Sequence, residues 1–371
     1  MDISTEQLVG QIHASPVRLV LAVSGGGSRA LAALLEMPGA SRTVLEAMVP
    51  YSEPAMISLI GGRPDGFCSP RAARAMAMAA FGRAYEYAPE SSPVGLACTA
   101  GLATDRPKRG PHRAHVALQS VSRTATWSLQ LEKGRRSRAE EEAVVSRLVL
   151  NAVAEACGLS QRLPLDLCGD EQVEPTETVA PKPWQNLLLG RKDVIVQGGK
   201  PASVLFPGAF NPMHVGHRRM MEIAREMLET PIAPEISIVN VDKPPLDYFE
   251  IERRTKQFAS DQPVLLTRAA TFEEKSRLFP GAVFLVGADT LRRIADPRYY
   301  AEDPVACRAA LQRIAERGCR FLVFGRDVGT GFVRLCDLDL PEPLRAICRE
   351  VPAARFREDV SSTAIRRSGR W

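Results

Sequence analysis

From residue 203 onward the chain alternates short apolar runs with amphipathic stretches, and few folds accept that order. Strands are expected at 203–206 (SVLF), 236–240, 264–266, 283–286 and 321–324, with helices at 217–228, 251–259, 271–278 and 304–317 between them. Parallel neighbours need a long crossover, and a helix supplies it, so this alternation predicts a Rossmann-like, doubly wound parallel sheet. Ligands of such sheets bind beyond the carboxyl ends of the strands. The helix at 217–228 places Met220, Ala224, Met227 and Leu228 at i, i+4, i+7 and i+8, an apolar stripe for one face of that sheet.

The first 159 residues read as a second α/β domain. VRLVLAV at 17–23 is strand-like and runs into SGGGS, then a helix at 29–35 that Pro38-Gly39 stops. Helices are expected at 70–83 and at 137–157, the latter with Val144, Leu148, Val149 and Val153 on one face. Strands are expected at 94–97, 114–118 and 126–131. Between the domains, 160–201 contains GDEQVEPTETVAPKP, acidic, Pro-rich and without periodicity, which reads as a linker. An ordered crossover strap is the alternative, because DVIVQ within it can form a strand. The expected fold class is therefore α/β, with domains at 1–159 and 202–371. The length of 371 residues suits two to three domains at roughly 150 residues each.

Composition excludes several function classes. Apolar residues at 45% and charged residues at 25% argue against fibrous or disordered chains. No apolar run approaches the roughly 18 residues of a membrane span, and the polar, acidic start is unlike a secretory signal. A net charge of +5, spread along the chain, suits small anionic substrates and falls short of a nucleic-acid footprint. Eight Cys without a C-x-x-C pair are expected to be reduced thiols in the cytoplasm, with no metal site.

The most informative segment is GAFNPMHVGH at 208–217. A strand delivers the chain to a sheet edge, and Gly208 is expected to let the backbone approach a ligand. The helix that follows presents unpaired N–H groups and a positive dipole end, a natural phosphate seat. His214 and His217, three residues apart, can face the same anion, and Gly216 removes a side chain that would crowd it. Loop histidines without a role are the bland alternative, but only five His occur in the chain and two fall here. A zinc site lacks a third ligand nearby.

G-x-F-x-P-x-H-x-G-H after a first strand resembles the nucleotidyltransferase superfamily with the H-x-G-H signature. The resemblance implies that His214 and His217 stabilise the α-phosphate during in-line attack, with Gly208, Phe210, Asn211 and Gly216 around the nucleotide. VSSTAIR at 360–366 resembles the family's I-S-S-T-x-I-R, where Ser362 and Thr363 would cap the β- and γ-phosphates and Arg366 would neutralise them. FLVGADTL at 284–291 resembles a segment of nicotinate/nicotinamide mononucleotide adenylyltransferases in which Gly287 and Asp289 would meet the adenosine. FLVFGR at 321–326 resembles their next strand. Asn211 stands where bacterial members commonly carry Asp. Lys243 and Arg253 are candidates for the mononucleotide, with solvated surface charges as the alternative. The resemblance covers about 203–371 and implies ATP with Mg²⁺, and a pyridine mononucleotide, as substrates of NAD biosynthesis or salvage.

The N-terminal region, about 5–158, resembles the CinA C-terminal domain, the nicotinamide-nucleotide amidases. LAVSGGG at 21–27, PGAS at 38–41 and VPYSEPAM at 49–56 fall on that family's motifs, as do 95–101 and 114–118. Ser24 and Tyr51 keep their family positions. The family's Glu is Val23, its Thr is Gly26, its Lys is Met56, and a later Gly-Pro is Cys98-Thr99. A serine hydroxyl without a base is a poor nucleophile, so a vestigial amidase is expected, retained for binding, regulation or homo-oligomer formation. His112 and His115 are expected on the surface of the basic loop DRPKRGPHR, with a substitute base as the alternative. Three rival functions stay open: a cytidylyltransferase acting on a phosphorylated alcohol, a non-catalytic nucleotide-binding scaffold, and a bifunctional enzyme with a live amidase.

Overall fold

The computed structural model describes residues 3–106, 109–199, 202–241, 243–327, 331–357 and 365. The chain divides into two compact units, Met1–Gln185 with Asp242–Glu250, and Asn186–Val241 with Ile251–Trp371. Both are α/β.

The first unit is built on a six-stranded mixed sheet. Its strands are β1 (Val17–Ser24), β2 (Val44–Met48), β3 (Ser92–Gly101), β4 (His112–Gln119), β5 (Arg123–Leu131) and β6 (Val173–Val179), in the order β2-β1-β3-β4-β5-β6. β2, β1 and β3 run parallel, while β4, β5 and β6 follow as an antiparallel meander. Alternation sorts the side chains of β1: Leu19, Leu21 and Val23 join one buried cluster with the helices Thr5–Ala14 and Arg138–Ala156. Ala22 faces the other way, onto Met76 and Ala77 of the helix Pro70–Tyr87. That helix lies close against β3 because Gly95 carries no side chain: a Cβ there would sit 2.1 Å from the Ala77 carbonyl oxygen.

The second unit is built on a seven-stranded sheet. Its strands are β7 (Val194–Gln197), β8 (Val204–Pro207), β9 (Ile232–Ser237), β10 (Val264–Thr267), β11 (Val283–Gly287) and β12 (Arg320–Phe324), followed by the two-residue β13 (Arg326–Asp327) and β14 (Phe332–Val333) and then β15 (Cys348–Glu350). The order is β15-β12-β11-β8-β9-β10-β7, parallel throughout except for β7, which runs antiparallel to β10; β13 and β14 form a separate hairpin. This is the doubly wound sheet expected from the alternation, with an antiparallel edge strand added. The chain winds outward from β8 through β9 and β10, then returns to the other side of β8 with β11, β12 and β15. The strand order therefore reverses between β8 and β11, which makes their carboxyl ends the place for a ligand.

Two expectations change. Two segments within the expected linker are strands: 173–179 is β6, at the edge of the first sheet, and 194–197 is β7, at the edge of the second. An edge strand accepts Pro175 and exposes both faces, so VEPTETV shows neither alternation nor an apolar run. It pairs with β5 along its whole length, and Arg123 of β5 adds an ion pair to Glu177 at 2.7 Å. The strand expected at 236–240 lies instead at Ile232–Ser237, because Pro234 is accommodated within β9 opposite Phe206.

Candidate functional site

The loop 208–214 leaves β8 and ends at the helix Val215–Leu228, with His214 as N-cap in extended backbone (φ −139°, ψ 174°). The first intrahelical bond runs from the Arg218 N–H to the His214 carbonyl. The amides of 215–217 have no intrahelical partner by geometry and form the positive end of the helix.

The two imidazoles stack, with ring centroids 3.7 Å apart and 25° between their planes. The His214 backbone N–H donates to His217 Nδ1 at 3.3 Å. A neutral His217 that accepts at Nδ1 carries its proton on Nε2, a donor. Burial pushes both values down, His214 to about 4 and His217 to about 3, and the nearby Arg326 charge acts in the same direction on each. Both rings are therefore neutral at pH 7. His217 is further fixed by edge contacts with Phe206 and Phe210, at 5.8 and 5.2 Å between centroids.

Gly208 lies close against a side chain of its own loop. A Cβ at this position would lie 2.7 Å from the Phe210 ring, so the glycine makes room for an aromatic side chain of its own loop. Phe210 is 1% exposed and holds a left-handed backbone (φ 42°). Asn211 is buried, with its Oδ1 accepting from Arg253 Nη2 at 2.5 Å, and Gly216 is buried within the first turn of the helix.

The next parallel strands bring two more groups. β11 ends at Gly287, the N-cap of the helix Ala288–Ile294, and a Cβ on it would meet the Asp289 carboxylate at 2.6 Å. Asp289 Oδ1 accepts from Arg326 Nη1 at 3.4 Å, and Arg293 lies at 3.9 Å. Arg326 follows β12 and supplies the positive charge felt by both histidines. The fold thus gathers His214, His217, Asp289 and Arg326 at the switch point. Arg326 was visible in the sequence only as the end of FLVFGR. Gln257, which bonds both the Phe210 carbonyl and the Met213 amide, gave no signal there at all.

Ser362, Thr363 and Arg366 lie outside the described residues. Of the two mononucleotide candidates, Arg253 belongs to the second unit, bonded to Asn211, and Lys243 to the first. Lys243 lies over Gly62, where a Cβ would meet its stem at 2.9 Å.

In the first unit Ser24 is buried and its hydroxyl donates to the Pro50 carbonyl at 3.0 Å. Tyr51 is exposed, and Met56, at the position of the family's lysine, packs in an apolar cluster. The SGGGS loop and the helix Ser28–Glu36 meet an anion from within the chain. Glu142 accepts from the Gly27 N–H (3.0 Å), the Arg29 N–H (3.3 Å) and the Ser28 hydroxyl (3.0 Å). His112 and His115 were expected at the surface; both are buried on β4. His112 Nδ1 lies 2.6 Å from the fully buried Glu141, and burial pushes His115 down to about 4. Glu141 stands in the first turn of the helix Arg138–Ala156, far along the chain, so the basic composition of 105–113 gave no sign of this partner.

Residues 205–368 match the family described as cytidylyltransferase-like, so the second unit carries a nucleotidyltransferase-like domain. Structures similar to the N-terminal part are CinA proteins. A competence/damage-inducible protein from Agrobacterium tumefaciens is 20% identical, covering 42% of this chain and 98% of its own, with a TM-score of 0.34. A CinA superfamily protein from Escherichia coli is 18% identical, covering 41% and 90%, with a TM-score of 0.33. A competence damage-inducible protein A from Klebsiella pneumoniae is 18% identical, covering 43% and 100%, with a TM-score of 0.34. No curated protein matches the chain. Among the described residues no helix is long and apolar enough to cross a membrane.

Proposed function

We propose that the chain transfers AMP from MgATP to the phosphate of a pyridine mononucleotide, nicotinate or nicotinamide, with release of pyrophosphate. The observation that carries this reading is the stacked, neutral His214–His217 pair at a helix start, beside Arg326, where the parallel sheet reverses its order. An acceptor phosphate oxygen attacks the α-phosphorus in line, the bond to the β-phosphate oxygen breaks, and pyrophosphate leaves with the electron pair. The protein's part is positioning and charge stabilisation. His217 Nε2–H and the amides of 215 and 216 donate to the α-phosphate, and Arg326 offsets its growing charge. Mg²⁺ enters with the nucleotide as part of the substrate. Ser362, Thr363 and Arg366 would hold the leaving pyrophosphate, as the family resemblance implies. The pyridine acceptor is supported by the sequence likeness of 284–291 to mononucleotide adenylyltransferases and of the N-terminal domain to a pyridine-nucleotide amidase. The match of residues 205–368 to the family described as cytidylyltransferase-like supports a second reading, CMP transfer to a phosphorylated alcohol.

The N-terminal domain, on this reading, is not a working amidase. Its serine proton is directed to a backbone carbonyl, no lysine stands at residue 56, and Glu142 fills the loop's donors. It is retained for binding or self-association.

Removing one preorganised donor to a developing anion costs about 3 kcal/mol of transition-state stabilisation, or roughly two to three orders of magnitude in rate. His214→Ala is expected to lower pyrophosphate release by that factor while circular dichroism and melting temperature stay near wild type. A folded His214→Ala protein with full turnover would refute the site.

A further inference from the structure

The bend that carries the histidines is held at both ends by a side chain from outside it. Gln257, just beyond the helix Tyr248–Thr255, donates from Nε2 to the Phe210 carbonyl at 2.8 Å and accepts at Oε1 from the Met213 N–H at 2.8 Å. It thus ties together the two ends of the four-residue span 210–213. Two neighbours add to the grip. Arg253 reaches Asn211 Oδ1, and Phe258 packs edge-on against the Phe210 ring at 5.2 Å between centroids. The span needs an external template, because Phe210 sits at φ 42°, a backbone conformation that L residues seldom adopt unaided. Met213 is the residue before His214, and the Phe210 ring touches His217, so both ends of what Gln257 holds lead directly to an imidazole.

We propose that Gln257 is a positioning residue for nucleotidyl transfer: its amide fixes the 210–213 bend, and through it the placement of His214 and His217. This role rests on the nucleotidyltransferase reading above. Gln257 touches neither ring, so its removal displaces the donors without deleting them. A misplacement of about 1 Å costs on the order of a hundredfold in rate.

The test compares wild type, Gln257→Met and Gln257→Glu in pyrophosphate release with MgATP or MgCTP and each pyridine mononucleotide. Gln257→Met keeps the length and loses both hydrogen bonds. Its kcat is expected to fall roughly ten- to a hundredfold, with KM for the nucleotide changed by less than about threefold, because the pocket keeps its ground-state contacts. Gln257→Glu separates positioning from bulk stability. An ionised carboxylate still accepts from Met213 but sets an oxygen against the Phe210 carbonyl; a protonated one donates to it again. Its activity relative to wild type is therefore expected to rise as pH falls from 8 to 5. Variants that fold and keep wild-type kcat at every pH would overturn the clamp while leaving the function intact. A pH-independent loss in Gln257→Glu would also overturn it, pointing to stability alone. Wild type inactive with every substrate pair would remove the underlying reading instead, a distinguishable failure.

Discussion

Gly208→Ala adds one methyl group where the fold has no room for it. Its Cβ would lie 2.7 Å from one Phe210 ring carbon and 3.0 Å from two others, against about 3.5–4.0 Å for an ordinary carbon–carbon contact. The ring has nowhere to go. It is 1% exposed and flanked by Phe206, His217 and Phe258, with centroids 5.2 to 5.3 Å away. Overpacking of this kind costs about 1–3 kcal/mol, and a displaced Phe210 carries the His217 ring with it. The expected result is a lower denaturation midpoint and reduced turnover together. A double-mutant cycle isolates the cause. In a Phe210→Ala background the ring is gone, so Gly208→Ala should cost less there by about 1 kcal/mol or more. Equal cost in the two backgrounds, measured by urea unfolding, would refute the steric account and restore the idea that Gly208 is kept for a ligand.

Two further outcomes follow from the charges. His115, His214 and His217 have values near 4, 4 and 3 in the fold, against about 6.5 in an unfolded chain. The unfolded state therefore takes up protons first, so their contribution to stability is complete above pH 6.5 and is lost as pH falls from 6.5 through about 3. Denaturation midpoints measured from pH 7.5 to 4 should decline over that window, and a stability that rises on acidification would contradict the burial of these rings. In the first unit, Glu142→Ala leaves the buried Gly27 N–H and the partly exposed donors of Ser28 and Arg29 without their acceptor, at about 1–3 kcal/mol for the buried unsatisfied group. Thermal unfolding should shift down and recover in part with added sulfate, because a helix start can seat that anion; a variant as stable as wild type would show that the carboxylate is dispensable.

The sequence made the centre of the second unit legible because strand, glycine loop and helix each carry a local signature, and His214 and His217 sit at their junction. It did not show β6 or the true position of β9, because an exposed edge strand has no apolar period and Pro234 reads as a breaker. The side chains that complete the sites were hidden for a common reason. Glu142 satisfies amides 113 to 115 residues away, and Gln257 satisfies amides and carbonyls 44 and 47 residues away. A polar residue whose partner is distant backbone looks, in sequence, like any solvated residue. The burial of His112 against Glu141 was missed on the same ground.

The central claim is most directly tested by pyrophosphate release from the purified chain, supplied with Mg²⁺, ATP or CTP, and nicotinate or nicotinamide mononucleotide in each combination. Release with ATP and one of the two mononucleotides, lowered by roughly two to three orders of magnitude in His214→Ala, is the predicted result. A folded protein that releases no pyrophosphate with ATP and either mononucleotide would contradict the account.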